Sequence, residues 1–121
     1  GVALIKYTPI TEAALTLVSN ATEAVDAVTK GDIVMTYSDG VGTTSLNTDL
    51  TAEISADDGS TWTSVTLASQ GTTAGHTIVT ANEVTITSTI SSPADMRYRI
   101  KTINQAASKQ TRVHAVSLGW S

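Results

Sequence analysis

The sequence predicts an all-β fold: one antiparallel β-sandwich, jelly-roll-like, of about seven to nine short strands behind a short N-terminal arm. Three observations lead there. Thr is the commonest residue, with 22 copies in 121 residues. It is β-branched, loses side-chain freedom in a helix and suits the outer face of a sheet. From Gly31 onward, short stretches alternate apolar and polar residues, with turn clusters between them. No strand–helix–strand alternation supports a parallel sheet, and no equal-period repeat supports a propeller.

The elements follow in order. Residues 1–14 read as an arm or linker, with a short strand or arm at Val2–Lys6, and residues 15–121 as the sandwich domain. Glu12-Ala-Ala-Leu15 suits the start of a helical turn, whereas Leu15-Thr-Leu-Val18 alternates weakly. Ser19–Lys30, rich in Ala, Thr and acid, reads as an extended connection or edge strand. Asp32–Tyr37 is a compact strand, closed by the turn cluster Ser38-Asp-Gly-Val-Gly42. Along Asp49–Ile54, Leu50, Ala52 and Ile54 share one face. Asp57-Asp-Gly-Ser60 then turns the chain into a return strand, Trp62–Leu67, with Val65 and Leu67 inward, which makes a hairpin. Ser69–Gly75 reads as a small-residue loop, Thr77–Thr80 and Glu83–Thr87 as two strands, and Ser91–Asp95 as a loop. Met96–Ile103 is a strand with Met96, Tyr98 and Ile100 on one face and Arg97, Arg99 and Lys101 on the other. After the polar turn Asn104–Gln110, Thr111–Trp120 is a long final strand.

A chain of this length fits one domain and buries roughly 65–70% of its unfolded surface. Phe is absent and the aromatics are Tyr7, Tyr37, Trp62, Tyr98 and Trp120, so Val, Ile, Leu and Ala fill most of the core. The net charge is −4, which makes nucleic acid a poor main partner, because binding it requires a field that attracts phosphate. The charges are segregated along the chain. Nine of eleven carboxylates lie between Glu12 and Asp58, and five of seven Lys and Arg lie between Arg97 and Arg112. The two groups either pair across neighbouring strands or form complementary faces that join subunits. There is no Cys, hence no disulfide or thiol chemistry. No apolar run approaches the roughly 20 residues that span a bilayer, and no signal peptide opens the chain, so no membrane partner is expected. The first residue is Gly, so the chain reads as processed or as a segment of something longer.

Few motifs carry chemistry. Ser55-x-Asp57-x-Gly59-x-Thr61-Trp62 looks like an Asp box, the hairpin signature of sialidase-type propellers. Asp accepts backbone N–H bonds across the turn, Gly supplies unusual φ and Trp packs beneath the hairpin. The expectation is a structural turn. A Ca²⁺ site from Asp57 and Asp58 lacks the further spaced oxygens such a loop needs. His76 and His114 are 38 residues apart with no metal-ligand spacing around them, and read as surface or interface residues. No Ser sits in a nucleophile elbow, and Gly40-Val-Gly42 lacks the Lys and helix of a phosphate loop. Asn20-Ala-Thr22 fits a glycosylation acceptor only in a eukaryotic secretory setting. No catalytic residue, metal or cofactor is expected. Arg97, Arg99 and Lys101 read as a row that pairs with acids such as Glu53, or, with Arg112, as a subunit-contact stripe for an acidic neighbour or glycan. Tyr7, Tyr37 and Trp120 read as core residues, the use that so few aromatics suggest, or as a sugar-stacking platform, for which Tyr37 and Trp120 are the candidates.

Two stretches carry a resemblance. One is Lys30-Gly-Asp-Ile-Val-Met-Thr-Tyr-Ser-Asp-Gly-Val-Gly-Thr, continuing through Asn47-Thr-Asp-Leu-Thr-Ala-Glu-Ile-Ser-Ala-Asp-Asp-Gly-Ser-Thr-Trp62. The other is Met96-Arg-Tyr-Arg-Ile-Lys-Thr-Ile-Asn-Gln, followed by Thr111-Arg-Val-His-Ala-Val-Ser-Leu-Gly-Trp-Ser121. Together they resemble a C-terminal β domain of structural proteins of tailed bacteriophages, notably marine ones, found on tail-fibre-like and other virion proteins. The resemblance covers roughly Leu15 to Ser121 and implies a non-enzymatic protein on the outer surface of the virion. It also implies a homo-oligomer, in such assemblies a trimer, that contacts the major capsid or tail protein. The short arm before the domain departs from the long N-terminal regions of fibre proteins. It favours a capsid- or tail-surface decoration over a fibre tip. The alternative expectation is a glycan-binding module that recognises a host-surface glycan.

Overall fold

A computed structural model describes residues 14–121. Among them are nine strands and no helix: β1 (Thr16–Val18), β2 (Thr22–Glu23), β3 (Lys30–Val41), β4 (Leu50–Asp57), β5 (Thr63–Val65), β6 (Ala68–Thr73), β7 (His76–Thr85), β8 (Ile90–Thr102) and β9 (Gln110–Trp120). They form two antiparallel sheets packed on one another, the sandwich that the sequence predicts. One sheet runs β1-β8-β4-β5, with β2 pairing further along β8; the other runs β6-β7-β3-β9. The β4–β5 and β6–β7 hairpins stay within a sheet, and the links β3–β4, β5–β6, β7–β8 and β8–β9 cross between sheets. The strand or arm read at Val2–Lys6, and Tyr7 after it, lie outside the described residues.

The alternation read from sequence is the alternation of burial. Leu50, Ala52 and Ile54 of β4 face Ile33, Met35 and Tyr37 of β3 in a core that also takes Val79, Met96 and Ile100. Ile33, Ile54 and Ile100 are 0% exposed. Gly31 lies so close to the opposite sheet that a Cβ there would sit 2.7 Å from the Ile54 Cδ1.

Four segments differ from the sequence reading, each for a local reason. The turn expected at Ser38–Gly42 is mostly strand, because β9 follows β3 through Asp39↔Thr111 and Val41↔Gln110, past a register shift. The loop expected at Ser69–Gly75 contains β6, every residue of which is exposed. A strand that buries nothing leaves no apolar alternation to read. Its hairpin turns on Ala74 and Gly75, both at positive φ (49° and 81°), the backbone of a type I′ turn. The two strands expected at Thr77–Thr80 and Glu83–Thr87 are one, β7, interrupted by a bulge opposite Gly31–Ile33. There Glu83 takes φ 50° and its N–H donates to Asp32 Oδ1 at 2.6 Å. The loop expected at Ser91–Asp95 lies inside β8. Ser55↔Arg97 and Asp57↔Asp95 keep the register with β4, Ile90 turns back to bridge Ala56 out of order, and Ala94 between them is buried, its carbonyl accepting from Ala24 N at 2.8 Å. Ser91 Oγ holds this segment by donating to the Ala56 and Pro93 carbonyls, both at 2.9 Å.

The core contacts of Ile54 come from both sheets. Ile54→Ala is therefore expected to destabilise the fold by about 2–5 kcal/mol, as buried large-to-small changes do. Urea denaturation checks it, with a shifted midpoint at unchanged slope as the expected result.

Candidate functional site

Three regions hold the residues singled out in the sequence. The first is the outer face of the β1-β8-β4-β5 sheet. Arg97, Arg99 and Lys101 project there from β8, each opposite or beside an acid of β4. Arg99 makes a two-pronged bond to Glu53, Nε to Oε1 at 2.9 Å and Nη2 to Oε2 at 2.6 Å. The Arg99 guanidinium also lies 4.3 Å from the centre of the Trp62 ring, a cation–π contact. Lys101 Nζ reaches the same Glu53 carboxylate at 3.6 Å. Arg97 Nε pairs with Asp58 at 2.9 Å, and its Nη1 donates to the Ser19 carbonyl at 2.9 Å. Hydrogen bonding from Arg99 holds the Glu53 carboxyl below its ordinary pKa against the opposing effect of burial, with the charges of Arg99 and Lys101 adding to it. Each cation of the row thus has a carboxylate partner within the molecule, Glu53 serving two of them and Asp58 the third. Arg112 lies elsewhere, on β9 in the other sheet, exposed. Among the described residues it is the one cation without a carboxylate partner.

The second region is the turn after β4. Asp57 Oδ1 accepts from Thr61 N and from Ser55 Oγ, both at 2.8 Å, and Asp57 Oδ2 accepts from Thr61 Oγ1 at 2.6 Å. Ser55 Oγ in turn accepts the Gly59 N–H at 2.8 Å, while Asp58 and Gly59 take φ 61° and 88°. Thr61 Oγ1 also accepts the Thr89 N–H at 3.0 Å, which ties the turn to the strand entry of β8. Burial of Asp57 would raise its pKa; the bonds from Thr61, Ser55 and Ser60 outweigh it and hold the carboxyl below the ordinary value. All five residues Ser55, Asp57, Gly59, Thr61 and Trp62 serve this knot and its packing, and no oxygen is left converging outward.

The third region is the β6-β7-β3-β9 sheet. Tyr37 faces inward and is 7% exposed. Trp120 packs partly on the core and lines a groove of about 560 Å³ with Thr22, Glu23, Val25, Asp26, Ala27 and Ser121. The partners of these residues on neighbouring strands are Val113 for Tyr37 and Gly31 for Trp120, about six residues apart along β3, or roughly 20 Å. The stacking platform expected of Tyr37 and Trp120 together is therefore absent: burial takes Tyr37 out of it, and Trp120 keeps its own groove.

Sequence reasoning missed three features. His76 and His114 stack on the outer face of this sheet, with ring centres 3.9 Å apart and planes 10° apart, and His114 Nε2 lies 2.7 Å from Ser38 Oγ. Near-parallel rings send their nitrogen lone pairs side by side, not toward one point, and among the described residues no three His, Asp or Glu cluster. The pairing is invisible in sequence because β3 intervenes between the two strands that carry it.

Asp49 is the second missed feature. Its residue is 1% exposed, and its carboxylate accepts from Lys109 Nζ at 2.8 Å, Ser45 N at 2.8 Å and Asn104 Nδ2 at 3.0 Å. These bonds, led by that from Lys109, lower its pKa from 3.8 to about 2. The Ile103 N–H donates to the Asp49 carbonyl at 2.7 Å. One buried carboxylate thereby clamps the β3–β4 loop to the β8–β9 loop.

The third is the free edge of β9. Among the described residues it pairs on one side only, with β3, through ten of its 11 residues, His114 standing out of the ladder at a register shift. The other edges are blunted in the ways edge strands usually are. β1 and β5 are three residues long and β2 is two. β6 carries a bulge at Gly71 and no buried side chain. β9 is long, has Arg112 as its one charged residue at neutral pH, and carries Val113, Val116, Leu118 and Trp120 half-buried on its inner side.

Two outcomes are expected. Asp57→Ala leaves the Thr61 N–H and the Ser55 hydroxyl without their acceptor and lowers unfolding free energy by about 1–3 kcal/mol, measurable by chemical denaturation. Because the folded-state pKa of Asp49 lies below its unfolded value, its contribution is present above pH 3.8 and is lost as pH falls toward 2. The thermal midpoint followed between those limits falls more steeply for the wild type than for Asp49→Asn. Compared with protein-family models, curated proteins and solved structures, the chain has no match.

Proposed function

We propose that this chain is a non-enzymatic bacteriophage virion structural protein, a capsid- or tail-surface decoration that assembles by adding its sheet to a neighbouring virion protein. The observation that carries the reading is the edge of β9, which has no partner strand among the described residues. An edge with alternate N–H and C=O groups facing outward is a ready template for another strand. The half-buried apolar side chains along β9 give such a strand something to cover. The resemblance of Lys30–Trp62 and Met96–Ser121 to the phage domain supplies the setting. A neighbouring capsid or tail protein provides the added strand, main-chain hydrogen bonds supply affinity, and alternate side chains supply register.

A second reading has one specific foothold, the groove beside Trp120. An exposed indole edge next to polar side chains suits a host-surface glycan. Loss of host adsorption on Trp120→Ala, with virion binding intact, would favour it.

The test uses particles that lack the protein. Purified wild-type chain is expected to bind them. Ala115 and Ser117 are exposed residues of β9 that pair with Thr36 and Val34. Replacing both with Lys places charges along the edge and weakens binding by about tenfold or more, without changing the thermal midpoint. Binding that ignores these changes, or a wild-type chain that does not bind, sinks the proposal.

A further inference from the structure

The strands run between two ends of the sandwich, and the ends differ in charge. At one end lie the β3–β4 and β8–β9 loops, clamped by Asp49, together with the start of β9 and of β7. Here Arg112 is the cation left without a carboxylate, and its guanidinium lies along Gly40, where a Cβ would sit 2.6–2.8 Å from it. Ser38 is the ladder partner of Arg112 and contacts His114, which stacks on His76. The four side chains therefore lie side by side on the outer face of the sheet. Val41 and Ile103, 44% and 38% exposed, lie at the same end.

At the opposite end lie the start of β8, the end of β4 and residues 22–28. Glu23 and Asp95 are ladder partners there, and Asp26 is exposed three residues on. Among the described residues, these three carboxylates have neither a cation within ion-pair distance nor a hydrogen-bond donor. Asp32, Asp39 and Asp57, the other acids without a cation, each accept hydrogen bonds within the fold. Between Glu23 and Asp26 stands Val25, 98% exposed. An apolar side chain projecting from an acidic rim has the anatomy of an interface core with its polar margin.

We infer that copies of this chain associate head to tail, with Val25 and the Glu23–Asp26–Asp95 rim of one copy seated on the Arg112–His114–His76 surface of the next. The occupant is a second copy because the molecule carries both halves of the match: one unpaired guanidinium beside two imidazoles at one end, and three unpaired carboxylates around an exposed valine at the other. Such a contact is heterologous, so it closes into a ring or continues as a filament. It uses the Arg112 and His114 side chains on the outer face of β9, not the unpaired edge backbone on which virion docking rests.

Sedimentation velocity of the purified chain tests it. The wild type is expected to form species larger than the monomer, with association weakened about tenfold or more between low and high salt, as charge-mediated contacts are. Arg112→Glu alone and Asp26→Arg alone each bring like charges together and are expected to be monomeric. In a mixture of the two variants, the introduced glutamate of one meets the introduced arginine of the other, and the unchanged Arg112 and Asp26 meet at the reciprocal contact. Association is then expected to return. Both positions are exposed, so a thermal midpoint close to wild type shows that the variants are folded. A wild type that stays monomeric at about 100 μM, a concentration that populates complexes of micromolar or tighter affinity, overturns the inference. So does association that survives Arg112→Glu, or a mixture that stays monomeric. A monomer that still binds virions through β9 would sink the head-to-tail contact and leave the docking proposal standing.

Discussion

Ile54 of β4 lies against the bare backbone of Gly31 on β3, with the side chains of Met35 and Ile86 in the same core. This contact sets the spacing of the two sheets at the end where β3 begins. With no side chain at residue 31, the sheets close to a distance that small aliphatic residues can fill. That matters in a chain without Phe, where the interior is built from Ile, Val, Leu, Ala and two buried methionines, Met35 and Met96. A wider gap would leave voids that these side chains do not fill, and voids in a core are destabilising. The positions of the outer-face residues follow, because every residue alternates about the seam that this spacing fixes.

Polar bonding then divides into parts that close the fold and parts that face outward. Asp57 and Asp49 each gather several donors onto a single carboxylate at opposite ends of β4. Glu53, midway between them, takes Arg99 and Lys101 on the outer face. One strand and its approach therefore carry three acidic anchors, of which Glu53 engages Arg99 and Lys101 of β8 and Asp49 engages Lys109 of the β8–β9 loop, while Arg97 pairs with Asp58 just beyond the strand. The result is a sheet face on which every cation has a carboxylate partner. The exposed charges that remain lie at the two ends and not on this face.

The fold class, the alternation of β4 and β8 and the composition of the Asp57 turn were legible in the sequence because each is a local pattern. Leu50, Ala52 and Ile54, or Met96 and Ile100, announce burial by period alone, and Ser55-x-Asp57-x-Gly59-x-Thr61 is a turn whose bonds among these residues all fall within seven positions. The exposed strand β6 was illegible because Ala68–Thr73 buries nothing. Residues 91–95 read as a loop because Ser, Pro and Asp cluster there, although they lie within β8, where Ile90 bridges back to Ala56. The Asp49–Lys109 clamp and the His76–His114 stack join residues 60 and 38 positions apart, and no local pattern encodes a contact set by sheet order. Tyr37, read as core or sugar platform, is core. An aromatic in a strand is equally suited to core or surface, and only the register of β3 against β9 and β7 turns it inward.

Sheet order also explains why β9 is the edge left open. In the sheet β6-β7-β3-β9, β3 holds the centre and pairs on both sides, so β6 and β9 fall at the two borders. The β6 border is made harmless by its composition: the strand has no apolar side chain larger than alanine and is bulged at Gly71. β9 instead keeps Val113, Val116, Leu118 and Trp120 on its inner side, where they complete the core but stay half-covered. The same side chains that hold the strand in the sandwich leave it with apolar surface at its margin, and that surface together with an unpaired backbone is what a neighbouring strand requires.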